Sequence, residues 1–300
     1  MVALMVLVGL DFLRIVDSIR YWLERVPIER LYLLYDRKRD VFGMLSRRNV
    51  SDLSRVLSFA MREPVRIGIN PQSFEDSFSV LYAHARYEVE QGRKVLIDAT
   101  STTKEAYGAA LMVSFILPEV EVFITPPRVR EWYLPEPDSP AFEDWFRRVR
   151  SIRGGDPILL KGPKLRDSFV DNEEALILVI LHKHGGHAPS IKDLITWCGA
   201  DPKSASVKNR FGRLLRRLQA KGLVVCGIGS KRKSVTLTSL GNALANGISR
   251  YISIRSSGNA FKESQGEPLP VSADSSLYLE EEKSPPAKMF EPASNLPENS

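Results

Sequence analysis

Short apolar runs alternate with segments of helical periodicity over the first 125 residues. Five apolar runs predict β-strands, at 3–9, 30–35, 65–69, 95–99 and 121–125. The first run is apolar on both faces, which is typical of a buried strand in a parallel sheet. Helical spacing separates the strands, most clearly over 73–91 and 103–117. Strands joined by helices predict an α/β fold with a doubly wound, parallel, Rossmann-like sheet.

A different pattern occupies residues 168–250, where three helices are followed by two short strands and a last helix. Asp171 and Glu174 have the spacing of a capping box at the start of the first of these helices. Apolar runs at 223–228 and 234–238 predict a hairpin. This order of elements predicts a winged helix-turn-helix domain, which is all-α apart from its wing.

These two patterns divide the chain into four parts. We expect residues 1–135 to form the Rossmann-like domain, 136–167 a helical connector, 168–250 the winged helix-turn-helix domain and 251–300 an acidic tail. Ser139-Pro140 opens the connector helix, and Glu131–Leu134 could add an edge strand before it. The tail is rich in Ser, Pro and Glu and lacks periodicity, so we expect it to be disordered.

Charge is spread unevenly over the 300 residues. The net charge is +6, but residues 259–300 carry −5, so residues 1–258 carry +11. A basic body favours an anionic partner, most often nucleic acid. The two cysteines are too few for a disulfide framework, and the apolar start is too short to span a bilayer, so we expect a cytoplasmic protein without a membrane partner.

Basic residues are concentrated in the third helix of the C-terminal pattern and in the hairpin tip. Between residues 203 and 233 the chain has ten Lys or Arg and no acidic residue. Such a helix fits the major groove of double-stranded DNA, and the tip would lie along phosphates. The predicted DNA-binding residues are Lys203, Ser206, Lys208, Asn209, Arg210, Arg213, Arg217, Lys231, Arg232 and Lys233. One alternative is a solvated basic helix and loop without a nucleic-acid partner, and another is a protein–protein adaptor built on the same fold.

Three histidines lie within six residues, at 182, 184 and 187. They stand at a helix C-terminus, where the macrodipole favours positive charge. Neither a cysteine nor a carboxylate is spaced to join them. We therefore predict no metal site.

Three predicted strands end in distinctive polar loops: Gly9-Leu10-Asp11, Asn70-Pro71-Gln72-Ser73 and Asp98 to Lys104. Ligands of doubly wound sheets bind beyond the carboxyl ends of the strands. The last loop supplies four hydroxyls and opens a helix, whose free amides attract anions. Ordinary capping, with Lys104 turned to solvent, is the alternative. The motifs GxGxxG and GxxxxGK[ST] do not occur, which argues against standard dinucleotide and P-loop sites.

The run Asp98-Ala-Thr-Ser-Thr-Thr-Lys104 after a strand, with a small-residue helix behind it, resembles the signature of the CRISPR-associated Rossmann fold (CARF) family. The whole arrangement is similar to archaeal CARF transcription regulators with a C-terminal winged helix, in particular the haloarchaeal-type branch. This sequence has Ser101-Thr102 where the family prefers two glycines. The resemblance covers residues 1–250 approximately.

The resemblance implies a homodimer that binds a cyclic oligoadenylate second messenger across its two-fold axis, with no other cofactor. The ligand-binding residues it implies, with those of the neighbouring loops, are Gly9, Leu10, Asp11, Asn70, Asp98, Thr100, Ser101, Thr102, Thr103 and Lys104. The function predicted is a ligand-responsive transcription regulator. One alternative is a ring nuclease that cleaves the messenger, although His84 is the domain's sole histidine and no base is evident. Another is a DNA-binding protein whose Rossmann-like domain only dimerises.

Overall fold

The computed structural model describes residues 1–57, 63–128, 135–136, 139–160, 169–227 and 233–256. All of them belong to one compact unit. The predicted hairpin tip at Lys231 and Arg232, the possible strand 131–134 and most of the predicted tail lie outside the described residues.

The N-terminal elements form a sheet of six strands in the order β3-β2-β1-β4-β5-β6. Its elements along the chain are β1 (Val2–Val8), α1 (Phe12–Leu23), β2 (Ile28–Asp36), α2 (Val41–Leu57), β3 (Val65–Ile69), α3 (Phe74–Glu90), β4 (Lys94–Asp98), α4 (Lys104–Ile116), β5 (Val120–Ile124), α5 (Pro140–Ser151) and β6 (Ile158–Leu160). The first five strands are parallel, and β6 pairs antiparallel with β5. The predicted doubly wound, Rossmann-like sheet is therefore confirmed, with β6 as an unpredicted edge strand.

The strand order changes direction at β1 and β4, and this switch point determines where the sheet can bind a ligand. The chain moves outward from β1 to β3, then returns to β4 on the other side of β1. Helices α1 and α2 consequently lie on one face of the sheet, and α3 and α4 on the opposite face. The loops after β1 and β4 diverge at this switch point and leave a crevice.

Apolar burial explains why β1 is central. All seven of its residues are buried, since the sheet is covered on both faces. Helix α5 packs against α1, and its rings Phe142, Trp145 and Phe146 form a buried cluster with Leu45 of α2. The segment predicted as a connector thus contributes α5 and β6 to the N-terminal layers.

The C-terminal elements are α6 (Asn172–Lys183), β7 (His187–Ala188), α7 (Ile191–Trp197), α8 (Ala205–Ala220), β8 (Val224–Cys226), β9 (Val235–Leu237) and α9 (Ser239–Ser256). The three strands form an antiparallel sheet in the order β7-β9-β8. The capping box at Asp171 and Glu174 is present as predicted. Helix α9 continues to Ser256, past residue 251 at which the tail is predicted to begin.

Helix α9 packs along α3 and joins the C-terminal elements to the N-terminal sheet. Gly247 lies at the crossing, where a Cβ would stand 3.0 Å from Cδ1 of Tyr82. At the start of α3, the Ser239 hydroxyl donates to Glu75 Oε1 at 2.7 Å. Further along α3, burial lowers the pKa of His84 to about 4, and the charge of Arg250 lowers it further.

Candidate functional site

A cavity of about 380 Å³ opens at the carboxyl ends of the parallel strands, where the switch point lies. This volume is within the range of small-molecule sites in proteins. Its lining comes from the ends of β1, β2 and β3, from α2 and from the loop after β4: Leu7, Val8, Gly9, Leu10, Asp11, Leu34, Asp36, Phe42, Ser46, Ile69, Pro71, Gln72, Thr100, Ser101, Thr102 and Thr103. All three loops singled out from the sequence thus contribute residues to one cavity.

Close packing of Gly9 against Ser101 joins the loops after β1 and β4. A Cβ on Gly9 would stand 2.5 Å from the Ser101 carbonyl oxygen and 2.7 Å from its hydroxyl. The backbone NH of Asp11 donates to that hydroxyl at 3.0 Å. Only a residue without a side chain fits position 9, and Ser101 in turn fixes the start of α1.

Two threonine hydroxyls of the β4 loop are engaged within the protein. Thr100 Oγ1 accepts from the Thr125 NH at 2.8 Å. Thr103 caps α4 by accepting from the Ala106 NH at 3.3 Å, and its hydroxyl donates to the Pro71 carbonyl. Thr102 has no hydrogen-bond partner among the described residues, so its hydroxyl is available to a ligand.

Asp98 is fully buried beneath the loop and does not line the cavity. One of its carboxylate oxygens accepts from the Thr100 NH at 2.9 Å, and Ser18 donates to the other. Burial raises the pKa of Asp98, while the hydrogen bonds from Ser18 and Thr100 oppose that rise. The position of this side chain shapes the loop from below.

Asn70 and Lys104 also lie outside the cavity lining. The Asn70 backbone NH donates to Asp76 at 2.7 Å, and its side-chain oxygen accepts from the Gln72 NH at 3.3 Å. Asn70 therefore shapes the turn that presents Pro71 and Gln72. Lys104 is the exposed first residue of α4, beside the cavity residue Thr103.

The sequence analysis missed the part of the cavity formed by β2 and α2. Ser46 links the ends of β1 and β2, because its hydroxyl donates to the Val8 carbonyl at 2.6 Å and accepts from the Asp36 NH at 3.0 Å. Phe42 stands at the same wall with 48% of its surface exposed. Asp36 ends a parallel strand, so the rule that directed attention to the other loops also applies to this residue.

Basic residues of α8 divide into an outward face and a flank against α6. Arg213 is exposed and has no ion pair among the described residues, and Arg216, which sequence reasoning omitted, is exposed beside it. Five other predicted DNA-binding residues are also exposed: Lys203, Ser206, Lys208, Asn209 and Lys233. Within the part of the chain that the structure describes, the basic side chains of these exposed residues have no acidic partner.

Arg210 and Arg217 form the flank and pair with the acidic first turn of α6. Arg210 Nε lies 3.0 Å from Glu173, and Arg217 lies 2.8 Å from Asp171. Arg217 and Lys221 also reach the buried carboxylate of Glu174, at 3.1 and 2.6 Å. These contacts fasten α8 to α6, so any contact of either arginine with DNA would compete with them.

The three histidines each have a partner in the protein. His182 and His187 hydrogen-bond Asn242 and Thr236, both at 2.8 Å, and His184 stacks on Trp197 at 4.0 Å. Within the described ranges, no three His, Cys, Asp or Glu side chains are grouped to hold a metal ion. None of the described helices combines the length and apolarity that a bilayer crossing requires.

No protein-family model matches the sequence, and neither does any curated protein. Among solved structures, the chain is similar to Enterococcus italicus Csm6 bound to cyclic hexa-2'-fluoro-hexa-dAMP, with 11% identity, a TM-score of 0.35, and coverage of 74% of this chain and 56% of that one. It is also similar to protein VC1899 from Vibrio cholerae, with 12% identity, a TM-score of 0.29, and coverage of 84% and 66%. The chain thus spans less than two thirds of either protein. The fold assignment depends on strand order and helix placement, because neither likeness is close enough to carry it.

Proposed function

We propose that this chain is a nucleotide-responsive, DNA-binding transcription regulator of the CARF type. The observation that carries the proposal is the cavity at the switch point, where the Gly9–Asp11 loop meets the loop from Asp98 to Lys104. The resemblance to the family implies ligand contacts from both loops, and its signature lies in the second of them. The ligand class proposed is a cyclic oligoadenylate.

A homodimer would place two such cavities side by side, so that one cyclic oligoadenylate would contact both protomers. The Thr102 hydroxyl and the first amides of α4 are donors suited to a phosphodiester. Lys104, exposed at the same helix start, would supply positive charge at the rim. Binding within one shared site would couple the ligand to the relative position of the two protomers.

The C-terminal elements would form the winged helix-turn-helix that reads DNA. Their order, α6-β7-α7-α8-β8-β9, with β8 and β9 as a hairpin, supports this assignment. Helix α8 would be the recognition helix, entering the major groove with Asn209, Arg213 and Arg216 outward. Lys233 follows the hairpin tip and would contact the adjacent backbone.

Titration with cyclic tetra- and hexa-adenylate tests the ligand half of the proposal. At a free concentration of one hundred times Kd, a ring that binds only the folded protein stabilises it by about 2.7 kcal/mol. We expect a matching rise in the thermal transition for one of these rings, with linear oligoadenylate of equal length as the control. Absence of any shift with both rings, at concentrations up to the millimolar range, would contradict cyclic oligoadenylate sensing.

Substitution of Arg213 tests the DNA half. Arg213→Ala should weaken binding to a specific duplex by roughly 1–3 kcal/mol, because the variant removes an unpaired guanidinium able to contact a base edge. Fluorescence anisotropy with labelled operator fragments, selected from random duplex, gives the affinity. Arg20→Ala is the matched control, since Arg20 is an exposed arginine on α1. Equal affinities for the parent, the Arg213 variant and the control would exclude α8 as the reading helix.

A further inference from the structure

Asp36 is an unusual residue to line a cavity proposed to receive a polyanion. It is the last residue of β2 and only 8% exposed. One side-chain oxygen, Oδ1, accepts from the Lys38 NH at 2.9 Å. The other, Oδ2, accepts no hydrogen bond and pairs with no cation among the described residues. Because Asp36 lines the cavity, a hydrogen-bond donor on a ligand can reach this second oxygen.

The charge of the cavity indicates which part of a nucleotide enters it. The described lining residues include two carboxylates, Asp11 and Asp36, and no Lys or Arg. Arg14 lies 2.7 Å from Asp11 and compensates that charge, whereas the Asp36 carboxylate has no ion pair with any described residue. A phosphate placed beside Asp36 would be repelled, so the phosphates belong at the rim near Lys104. The uncharged sugar and base are left to fill the cavity.

A ribose hydroxyl can donate a hydrogen bond to a carboxylate at the position of Asp36, the end of β2. In dinucleotide-binding Rossmann folds, an acidic residue after the second strand accepts a hydrogen bond from a ribose hydroxyl, although the glycine fingerprint of those folds is absent from this sequence. Asp36 occupies that position, and Ser46 connects its backbone NH to the Val8 carbonyl at the end of β1. A cyclic oligoadenylate with 3′,5′ linkages has one free hydroxyl on each ribose, at the 2′ carbon.

We infer that Asp36 accepts the ribose 2′-hydroxyl of the bound nucleotide and makes the site select ribonucleotides over deoxyribonucleotides. The inference rests on the proposed function and identifies the chemistry of one nucleoside in that same cavity. Phe42, at the same wall, offers an exposed ring on which the base stacks. The two side chains therefore recognise different parts of one nucleoside.

Affinities for two rings that differ only at the 2′ position test the inference. Calorimetric titration would compare cyclic oligoadenylate with its all-2′-deoxy counterpart, on the parent, Asp36→Asn and Phe42→Ala. A hydrogen bond to a charged acceptor predicts that the parent prefers the ribose ring roughly tenfold or more. Asp36→Asn should reduce this preference to about one, whereas Phe42→Ala should weaken both rings by the same factor and retain the preference.

Each failure has a different meaning. If the parent binds both rings equally, or if Asp36→Asn keeps the full preference, the role of Asp36 is wrong and ring binding itself stands. If the parent binds neither ring, the proposed ligand and this inference are both overturned. Thermal unfolding establishes that the variants are folded. Should the Asn variant not fold, Asp36→Ser keeps an acceptor for the Lys38 NH and removes the carboxylate.

Discussion

Gly9→Ala is expected to lower the free energy of unfolding by about 2–4 kcal/mol and to abolish nucleotide binding in the cavity. The added methyl group would stand 2.5 Å from the Ser101 carbonyl oxygen, which belongs to the backbone and cannot rotate away. To relieve this contact the two loops must separate, and the hydrogen bond from Asp11 to Ser101 is then lost. Chemical denaturation gives the stability, and thermal shift with a cyclic oligoadenylate gives the binding.

Gly108→Ala is the matched control for this change. Gly108 lies within α4, and a Cβ there would have no atom within 4 Å. Alanine should therefore leave binding unchanged and stabilise the protein by roughly 0.4–1 kcal/mol, through helix propensity and a less flexible unfolded chain. If Gly9→Ala were as stable as this control and still bound nucleotide, the close approach of the two loops would be excluded.

Gly247→Leu is expected to displace α9 from α3 and cost about 1–3 kcal/mol or more. Even the first carbon of the new side chain would stand 3.0 Å from the Tyr82 ring and 3.4 Å from the Ser79 backbone. The C-terminal elements should then unfold in a separate transition at lower temperature. Differential scanning calorimetry would resolve the two transitions.

The same variant should also remove any response of DNA binding to the ligand. Helix α3 starts directly after the loop of Pro71 and Gln72, which lines the cavity. Asp76, in the first turn of α3, accepts from the Asn70 NH at 2.7 Å and contacts Arg250 of α9 at 3.4 Å. This chain of contacts connects the cavity with α9, and leucine at 247 would break it.

Gly212→Leu provides the comparison, because a Cβ at this helical glycine of α8 would meet no atom within 4 Å. Its stability should equal or exceed that of the parent. A single transition for Gly247→Leu, at the parent's temperature, would show that α9 does not depend on close contact with α3.

Periodicity predicted the parallel strands because both faces of the sheet are buried, which leaves uninterrupted apolar runs. Periodicity did not predict helix α2, for the opposite reason. Its buried side includes Ser46, Asn49 and Ser54, whose polar groups bond to nearby backbone and blur the apolar stripe. Strand β6 spans only Ile158–Leu160 and is fixed by pairing with distant β5, which no local pattern records.

The candidate site was predictable in outline and not in its details. The switch-point rule predicted the loops at Gly9 and Thr100, since it needs only strand order. Asp98 and Asn70 are polar and follow β4 and β3, yet Asp98 is buried and the Asn70 side chain bonds back to its own turn. Likewise, only the packing of α6 beside α8 reveals that Arg210 has an acidic neighbour. Tertiary packing determines the direction in which a polar side chain points, and a local sequence pattern does not record it.

Ion pairs between α8 and the first turn of α6 change the number of cations that are released when the protein binds a polyanion such as DNA. A protein that neutralises phosphates releases the cations condensed on the duplex, and this release is the source of its dependence on ionic strength. Arg210, Arg217 and Lys221 already have carboxylate partners. A phosphate that recruits one of them frees a carboxylate, which then collects a cation of its own. Duplex binding would therefore release fewer counterions than the ten Lys and Arg between residues 203 and 233 suggest.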